Sequence, residues 1–392
     1  MPNVVAAGPL AGITVLDLST VGPAARCTHL LAGYGASVVK VGPVPTAGAE
    51  PIVPPFFSYS GHRGMRRALF DLKDALGKEA FLALAAGSDV VVESFRPGVM
   101  GRLGLGYDAV SARNPGIVYC STSGYGQDGP HAQWAGHDLD YLAVGGYLAM
   151  SGPGENGVPP LPGATIADAA AGGMQAALAI TAALAGRAAT GRGSYLDVSV
   201  ADGVLWLMSL AIDEQLALGG DVQPGHDVLS GRYACYDTYR TKDGKSVAVG
   251  AIEAKFFANL CEALGCAELA AFQYDDGAQP RLRDALTEAF GRRTRDECVE
   301  ALAGADTCVA PVLELGEVVA DPQFSVRGVV GIATHPEHGE VRQLAPLLAG
   351  MPRPEGSVSL PDLGQSDTEH LLKEAGVDGE TVARWVAQGV VA

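Results

Sequence analysis

The sequence is poor in basic residues. Of its 392 residues only 27 are Lys or Arg, against 44 Asp or Glu, which gives a formal charge of −17. So acidic a chain opposes non-specific binding to nucleic acid or to anionic membranes, because both carry negative phosphates. We therefore expect no nucleic-acid partner, although a local cluster of arginines and lysines can still hold a small anionic ligand.

Paired cysteines and a basic leader are also missing. The seven cysteines are an odd number, and no C-x-x-C pair occurs. This pattern argues against a disulfide framework and against a structural zinc site, so we expect free thiols and no bound metal. The first residues, MPNVVAAGPLAG, contain no positive charge, which argues against a secretory signal. We expect a cytoplasmic protein.

One charge-free run, from Ala169 to Ala185, imitates a membrane span. The run is rich in alanine, contains Gln175 and begins beside Asp168. A membrane span needs about 20 strongly apolar residues. We interpret the run as a tightly packed helix of a globular domain and predict no membrane span.

Apolar residues are plentiful, at 48% of the chain, and the length suits two domains. Short apolar runs begin at Ile13, Ser37, Asp89, Gly116 and Ser194, with helical patterns between them. Nearly continuous apolar strands that alternate with helices indicate βαβ units and a parallel sheet covered on both faces. The sequence therefore predicts an α/β fold.

The pattern changes after a linker candidate at residues 219–230, which is rich in Gly, Pro and Asp. There the run YDTYRTKDGKSVAVG predicts a hairpin around Asp243 and Gly244, since Asp-Gly suits a tight turn. Several helical patterns follow it. A smaller α+β domain is the expectation.

Three residues are candidates for chemistry. His137 follows Gly136 at the start of a predicted helix, where free N–H groups favour a developing oxyanion; the alternative is an ordinary surface or core histidine. Asp168 opens the apolar helix, either as its N-cap or as a partly desolvated carboxylate that can exchange protons. Glu253 follows the second hairpin strand, and local sequence alone indicates a glutamate at a helix N-terminus.

Basic residues are concentrated early in the chain. A solvated face is one interpretation, and an anion site is the other. The residues concerned are His62, Arg63, Arg66, Arg67, Lys73, Lys78, Arg96 and Arg102.

At these residues the chain resembles the class III (family III) CoA-transferase superfamily, which includes the α-methylacyl-CoA racemases. The resemblance runs nearly end to end and includes the blocks VVVESFRPGVMGRLGLGYD, STSGYGQDGP, AGHDLDYLA, ATIADAAAGG and YRTKDGKSVAVGAIE. It implies a Rossmann-like large domain from residues 1–200 and 341–392. A linker at 201–233, a small α+β domain at 234–330 and a return linker at 331–340 complete the implied organisation, with two chains interlocked as an obligate homodimer.

The resemblance also implies an activity. In the racemase branch the matching positions are His137, Asp168 and Glu253, which implies an isomerase of lipid metabolism. It would invert the α-carbon of a 2-methyl or other 2-substituted acyl-CoA by 1,1-proton transfer through an enolate. His137, oriented by Glu253, would exchange the proton on one face and Asp168 on the other. The backbone N–H of Asp138 would stabilise the enolate oxygen.

The resemblance places the CoA part of the substrate near Arg96 and Tyr141, with no permanently bound cofactor. One departure concerns Gly42 and Pro43, which occupy positions where racemases usually have an acidic residue and a phosphate-binding arginine. Proline cannot replace a cationic donor. The residues that could compensate are Lys40, Arg63, Arg66 and Arg67.

Two other functions remain open at this stage. A CoA-transferase would use Asp168 as a nucleophile that forms anhydride and thioester intermediates between carboxylic acids. Transferases typically lack the His and Glu and often carry a glycine-rich loop, and no run of four glycines occurs in this chain. The third possibility is a binding protein that kept the fold without catalysis, suggested by Pro43.

Overall fold

The computed structural model describes residues 8–45, 54–154, 156–346, 348–351, 356–362 and 364–392. The chain forms two compact units. The first comprises Met1–Leu148, Leu161–Ile212 and Gln323–Ala392, and the second comprises Ala149–Pro160 and Asp213–Pro322. In the prediction the large domain is interrupted once, between residues 200 and 341, whereas the first unit is interrupted twice, at Ala149–Pro160 and at Asp213–Pro322.

The strands in chain order are β1 (Thr14–Asp17), β2 (Ser37–Gly42), β3 (Arg66–Leu69), β4 (Val90–Glu93), β5 (Val118–Ser123), β6 (Ser194–Ser199), β7 (Tyr236–Arg240), β8 (Ser246–Gly250), β9 (Val309–Pro311), β10 (Val330–His335), β11 (Gly339–Leu344) and β12 (Ser357–Ser359).

The α-helices are α1 (Gly22–Gly33), α2 (Ala75–Ala86), α3 (Val99–Leu103), α4 (Tyr107–Arg113), α5 (Asp138–Val144), α6 (Tyr147–Met150), α7 (Gln175–Thr190), α8 (Val200–Leu207), α9 (Ser209–Leu218), α10 (Ala254–Leu264), α11 (Gln279–Gly291), α12 (Arg295–Leu302), α13 (Leu315–Val318), α14 (Pro322–Val326), α15 (Thr368–Glu374) and α16 (Gly379–Ala387). A π-helical segment, Ala167–Met174, leads directly into α7.

The first unit is built on a six-stranded parallel sheet in the order β3-β2-β1-β4-β5-β6. The predicted α/β class is therefore confirmed. Five of the six strands coincide with the apolar runs found in the sequence. The exception is β3, whose sequence is Arg-Arg-Ala-Leu. Its two arginines give it no apolar run, so it was not predicted as a strand.

The two faces of this sheet are covered by different helices. Residues Val15, Val38 and Val90 pack with α1 and α7, whereas their neighbours Leu16 and Val39 belong to the core on the opposite face. The alternation follows from the two-residue period of a strand. The opposite face is closed by α2 and by the C-terminal α15 and α16.

The C-terminal helices attach to the edge of the sheet. The Leu69 N–H donates to Thr368 Oγ1 at 2.8 Å, and Phe70 forms a β-bridge with Val391. Leu372 and Trp385 are buried in the same core as Leu16. The last part of the chain thus completes the first unit.

The combined helix Ala167–Thr190 is long and apolar enough, by length and composition, to cross a membrane. Its residues Ala176, Ile180 and Leu184 are buried in the core against the sheet. One face of the helix therefore belongs to the core, while Met174 and Leu178 are exposed to 58% and 70%.

The second unit contains the predicted hairpin. Strands β7 and β8 pair antiparallel, with Arg240 opposite Ser246, and β9 adds a third strand beside β8. Gly244 in the turn has φ +79°, a left-handed conformation that glycine adopts without strain. Phe257, Leu260 and Phe290 form the centre of its core.

A strained stretch precedes β3. Tyr59, Ser60, Gly61 and His62 have φ of 51°, 50°, 65° and 52°. L-residues with a side chain rarely adopt this left-handed region, and strain of this kind concentrates at functional sites.

Candidate active site

His137 is the N-cap of α5. Its backbone N–H donates to Asp140 Oδ2 at 2.9 Å, and its side chain is exposed. Just before it, the Gly136 carbonyl accepts from the Tyr141 hydroxyl at 2.5 Å. A side chain at Gly124 would clash with the Tyr141 ring. The glycines of this loop therefore let Tyr141 fix the backbone that presents His137.

Asp168 lies in the π-helical segment and is half-buried. Its backbone N–H donates to Asp138 Oδ1 at 2.8 Å. The residue after His137 therefore binds the segment that carries Asp168, and the structure brings these two predicted catalytic residues into one site. A π-helical turn is an uncommon geometry that often occurs at functional sites.

The charges around Asp168 act in opposite directions. Burial raises the pKa of its carboxyl group, and the nearby charge of Asp138 raises it further. Arg26 and His137 lower that pKa, but burial and Asp138 outweigh them. The carboxylate is thus easier to protonate than a solvated aspartate, a change in the direction that proton exchange requires.

Tyr141 completes this side of the site. Burial and the charge of Asp168 raise the pKa of Tyr141 to about 12. Its hydroxyl therefore stays protonated and acts as the donor to Gly136. Because that hydroxyl is engaged in holding the loop, the predicted contact of Tyr141 with CoA stays a prediction.

Small residues allow close approach around Asp168. A Cβ at Gly172 would lie 2.5 Å from Pro23 Cβ on α1, and a Cβ at Gly203 on α8 would clash with the Ala171 carbonyl oxygen. At Gly22, a Cβ would lie 3.9 Å from Asp168 Oδ2. Glycine at position 22 therefore keeps the space in front of the carboxylate open.

Glu253 belongs to the second unit, where it is the exposed N-cap of α10. The preceding Ile252 carbonyl accepts from Gln273 Nε2 at 2.7 Å and from the Tyr274 hydroxyl. These bonds fix the loop that presents Glu253. The orientation of His137 by Glu253 stays a prediction.

The structure distinguishes the four basic residues proposed to compensate for Pro43. Lys40 is nearly buried and pairs with the buried Asp17 at 2.7 Å. The Arg66 guanidinium pairs with Glu374 at 2.7 Å, and Arg63 donates to the Leu344 carbonyl at 2.7 Å.

Arg67 is placed differently. A Cβ at Gly42 would lie 3.9 Å from Arg67 Nη2, so its guanidinium occupies the end of β2 where the resemblance expects a phosphate-binding side chain. Burial lowers the pKa of Arg67, although an arginine remains charged at neutral pH. The contact of these four residues with CoA stays a prediction.

Arg96 lines a cavity of about 440 Å³ in the first unit. Its wall includes Glu93 at the carboxyl end of β4, Ser121 within β5, Tyr195 near the start of β6 and Tyr107 of α4. Neither His137 nor Asp168 lines it. The chemistry predicted from the sequence therefore lies outside this cavity, while the predicted CoA contact Arg96 lies at its wall.

One cluster within the described ranges has the composition of a metal site. Glu214, His226 and Asp227 bring their ligand atoms within 4.8 Å of one another. However, His226 Nε2 hydrogen-bonds directly to Glu214 Oε2 at 2.7 Å, and this bond is the main cause of the raised pKa of His226. The histidine nitrogen is therefore already engaged by a carboxylate, and we assign the group no metal.

Sequence reasoning missed two residues of the site. Asp138 had been considered only for its backbone N–H, whereas its side chain binds Asp168. Arg26 had no assignment at all. The single signal in the sequence was a charged residue inside the apolar pattern of α1, and nothing local linked that charge to Asp168.

The sequence matches CoA-transferase family III over residues 10–367. It is 36% identical to human alpha-methylacyl-CoA racemase over 95% of each chain. It is 30% identical to human succinyl-CoA:glutarate CoA-transferase, covering 98% of this chain and 90% of that one.

A solved structure of a related protein shares the fold of this chain. The crystal structure of a CAIB/BAIF family protein from Brucella suis superposes with a TM-score of 0.76 and 27% sequence identity. The match covers 94% of this chain and 99% of that one. The chain therefore belongs to CoA-transferase family III, a family of enzymes with racemase and CoA-transferase members.

Proposed function

We propose that the chain is an acyl-CoA racemase that inverts the α-carbon of a 2-methyl or other 2-substituted acyl-CoA. The observation that supports the proposal is the hydrogen bond from the Asp168 N–H to Asp138 Oδ1, which connects the segment of Asp168 to the residue after His137. The 36% identity to the human racemase supports it.

The chemistry requires two proton-exchanging groups. An α-proton next to a thioester is weakly acidic, so inversion needs a base on one face and an acid on the other. His137 would serve one face and Asp168, with its raised pKa, the other. The backbone N–H of Asp138, in the first turn of α5, has no helical partner and would donate to the enolate oxygen.

Substrate recognition is proposed on the same basis. The phosphates of CoA carry negative charge, so cationic side chains within an otherwise acidic protein are the expected contacts. Arg96 at the cavity and Arg67 at the end of β2 are the candidates that the geometry favours. CoA enters as part of the substrate and not as a resident cofactor.

The alternative is a CoA-transferase in which Asp168 attacks the thioester. The 30% identity to the human succinyl-CoA:glutarate CoA-transferase over nearly the whole chain supports it. It needs the Asp168 carboxylate alone, whereas the racemase needs His137 as well. The two proposals therefore differ in what they require of position 137.

The deciding experiment is exchange of the α-hydrogen for deuterium across a panel of 2-methylacyl-CoA thioesters. Wild-type protein should catalyse exchange, and His137→Ala and Asp168→Ala should each reduce it by about 10²–10⁴-fold. Absence of exchange with every thioester, together with hydroxylamine-sensitive labelling of Asp168 by an acyl-CoA, would establish the transferase instead. If calorimetry detects binding of CoA but neither racemase nor transferase turnover is measured, the chain is a binding protein.

A homodimer is also proposed. Large apolar side chains of the first unit are exposed on α8 and the start of α9, with Trp206 and Leu210 exposed to 77% and 70%. A patch of this kind on a lone chain marks an interaction surface. Light scattering after size exclusion should give twice the chain mass of 40.2 kDa; a monomer at micromolar concentration would contradict the proposal.

A further inference from the structure

Arg26 is a cation on the inner side of α1, next to the segment that carries Asp168. Its Nη2 donates to Thr165 Oγ1 at 2.6 Å, and its Cζ lies 5.7 Å from the centroid of the Tyr59 ring. A Cβ at Gly173 would lie 2.8 Å from Arg26 Cβ, so the two helical segments touch here. The guanidinium is therefore held from two sides.

These contacts hold the charge without cancelling it. The Thr165 hydroxyl is neutral, and the Tyr59 ring attracts a cation through its π face without neutralising it. The buried Nε of Arg26 has no hydrogen-bond partner in the part of the chain that the structure describes. Arg26 thus presents a fixed positive charge with one donor uncommitted.

Tyr59 connects this cation to the space in front of Asp168. Its hydroxyl oxygen accepts a hydrogen bond from the Gly22 N–H at 3.0 Å. Gly22 is the residue whose Cβ position faces Asp168 Oδ2. Tyr59 also belongs to the left-handed stretch, an unfavourable backbone conformation that surrounding contacts must maintain. One tyrosine thus supports both Arg26 and the loop beside the carboxylate.

We infer that Arg26 is a positioning residue of the racemase reaction, braced by Thr165 and Tyr59 so that its positive charge acts on the Asp168 carboxylate. Its role in catalysis rests on the proposed function, whereas its placement does not. It touches neither the reacting atoms nor CoA in this assignment, and it acts through Asp168.

The groups that face Asp168 define the expected effect. Asp138 and His137 approach it from α5, Arg26 from α1, and Tyr141 from the turn of α5 that follows. Of the side chains that lower the pKa of Asp168, Arg26 has the largest effect. Burial and Asp138 raise the pKa of Asp168, and the charge of Arg26 counteracts them. Without that charge, the pKa of Asp168 should rise.

The test compares Arg26→Gln, Arg26→Lys and, as a matched control, Arg113→Met, which removes an arginine paired only with the exposed Glu79. Two quantities are measured against pH: carbodiimide labelling of Asp168 by mass spectrometry, and kcat/KM for α-hydrogen exchange. Arg26→Gln should move the labelling midpoint and the acidic limb of kcat/KM upward by about 0.5–1 pH unit. Arg26→Lys should stay within a few tenths of a unit of wild type, and Arg113→Met should not move.

The two readouts separate the possible failures. If wild-type protein exchanges hydrogen but neither quantity moves in Arg26→Gln, the assignment of Arg26 is overturned. If the labelling midpoint moves while wild-type protein exchanges no hydrogen, the action of Arg26 on Asp168 stands and the racemase proposal fails. Should the Gln variant not fold, Arg26→Met is measured in its place with the same expected shift.

Discussion

Asp138 Oδ1 accepts the backbone N–H of Asp168 at 2.8 Å, across 30 positions of the chain. One aspartate thus has two effects on the other. Its hydrogen bond orients the segment, and its charge raises the pKa of the Asp168 carboxyl group. The two effects can be separated by substitution.

Asp138→Asn retains an acceptor oxygen but removes the charge, so the pKa of Asp168 should fall and the acidic limb of the exchange rate should move to lower pH. Asp138→Ala removes both, and it should also lower the free energy of unfolding by about 1 kcal/mol for the lost hydrogen bond. Thermal unfolding and exchange rates against pH measure the two effects. Equal stability of the Ala and Asn variants would show that the hydrogen bond contributes nothing.

Asp168→Asn should make the protein more stable at neutral pH while reducing exchange by at least about 10²-fold. Since the pKa of Asp168 is raised in the folded state, the folded chain binds this proton more tightly than the unfolded chain. The ionised carboxylate therefore lowers stability above its folded pKa. The stability difference should vanish below the unfolded pKa of about 4. A lower melting temperature for the Asn variant at pH 7 would contradict this.

Gly203→Ala should destabilise the protein and slow exchange, because the new Cβ would clash with the Ala171 carbonyl in the segment that carries Asp168. Gly186→Ala is the matched control: it lies in α7 with no atom within 4 Å of its Cβ position. Alanine is favoured over glycine inside a helix by about 1 kcal/mol, so this control should be as stable as wild type or more so. Melting temperatures of the two variants test the prediction, and a similar rise in both would refute it.

Glu317→Gln should destabilise the second unit at pH 7. Glu317 pairs with Arg295 at 2.6 Å and with Lys245 at 2.6 Å, and the Arg295 hydrogen bond is the main cause of its lowered pKa. Stability from this carboxylate is present above its unfolded pKa and is lost as the pH falls. The difference between wild type and variant should therefore shrink below about pH 4.

Glu369→Gln is the comparison for that measurement. Its carboxylate pairs with Lys373 on the exposed surface of α15 at 3.3 Å, where ion pairs contribute little. Its melting temperature at pH 7 should match wild type. If both Gln variants melt like wild type, the Arg295 network carries no stability.

Most strands of the sheet could be predicted because each of them is indicated by a run of apolar residues in its own segment. The apolar runs that became β1, β2, β4 and β5 are largely buried on both faces, whereas β6 is partly exposed, with Tyr195 exposed to 42%. Alternation of such runs with helices implies parallel pairing. Strand β3 was not predicted because Arg66 and Arg67 occupy half of its four positions. Its pairing with β2 depends on a neighbour in space, which a local pattern does not contain.

The site was predictable only in part, for the same reason. His137 and Asp168 stand out in their own segments and through the family resemblance. The contact of Asp138 with Asp168 and the contact of Arg26 with Thr165 join segments 30 and 139 positions apart. Only the folded packing of α1, α5 and the π-helical segment reveals these two residues.

The attachment of the C-terminal helices to β3 has a consequence for biosynthesis. The bond between Leu69 and Thr368 joins residues 299 positions apart. At about 5–20 residues per second, a ribosome needs roughly 15–60 s to cover that distance. During this interval the edge of the nascent sheet and the apolar surface that Leu372 and Trp385 later cover stay open to chaperones. The whole second unit, which ends at Pro322, is synthesised within the same interval.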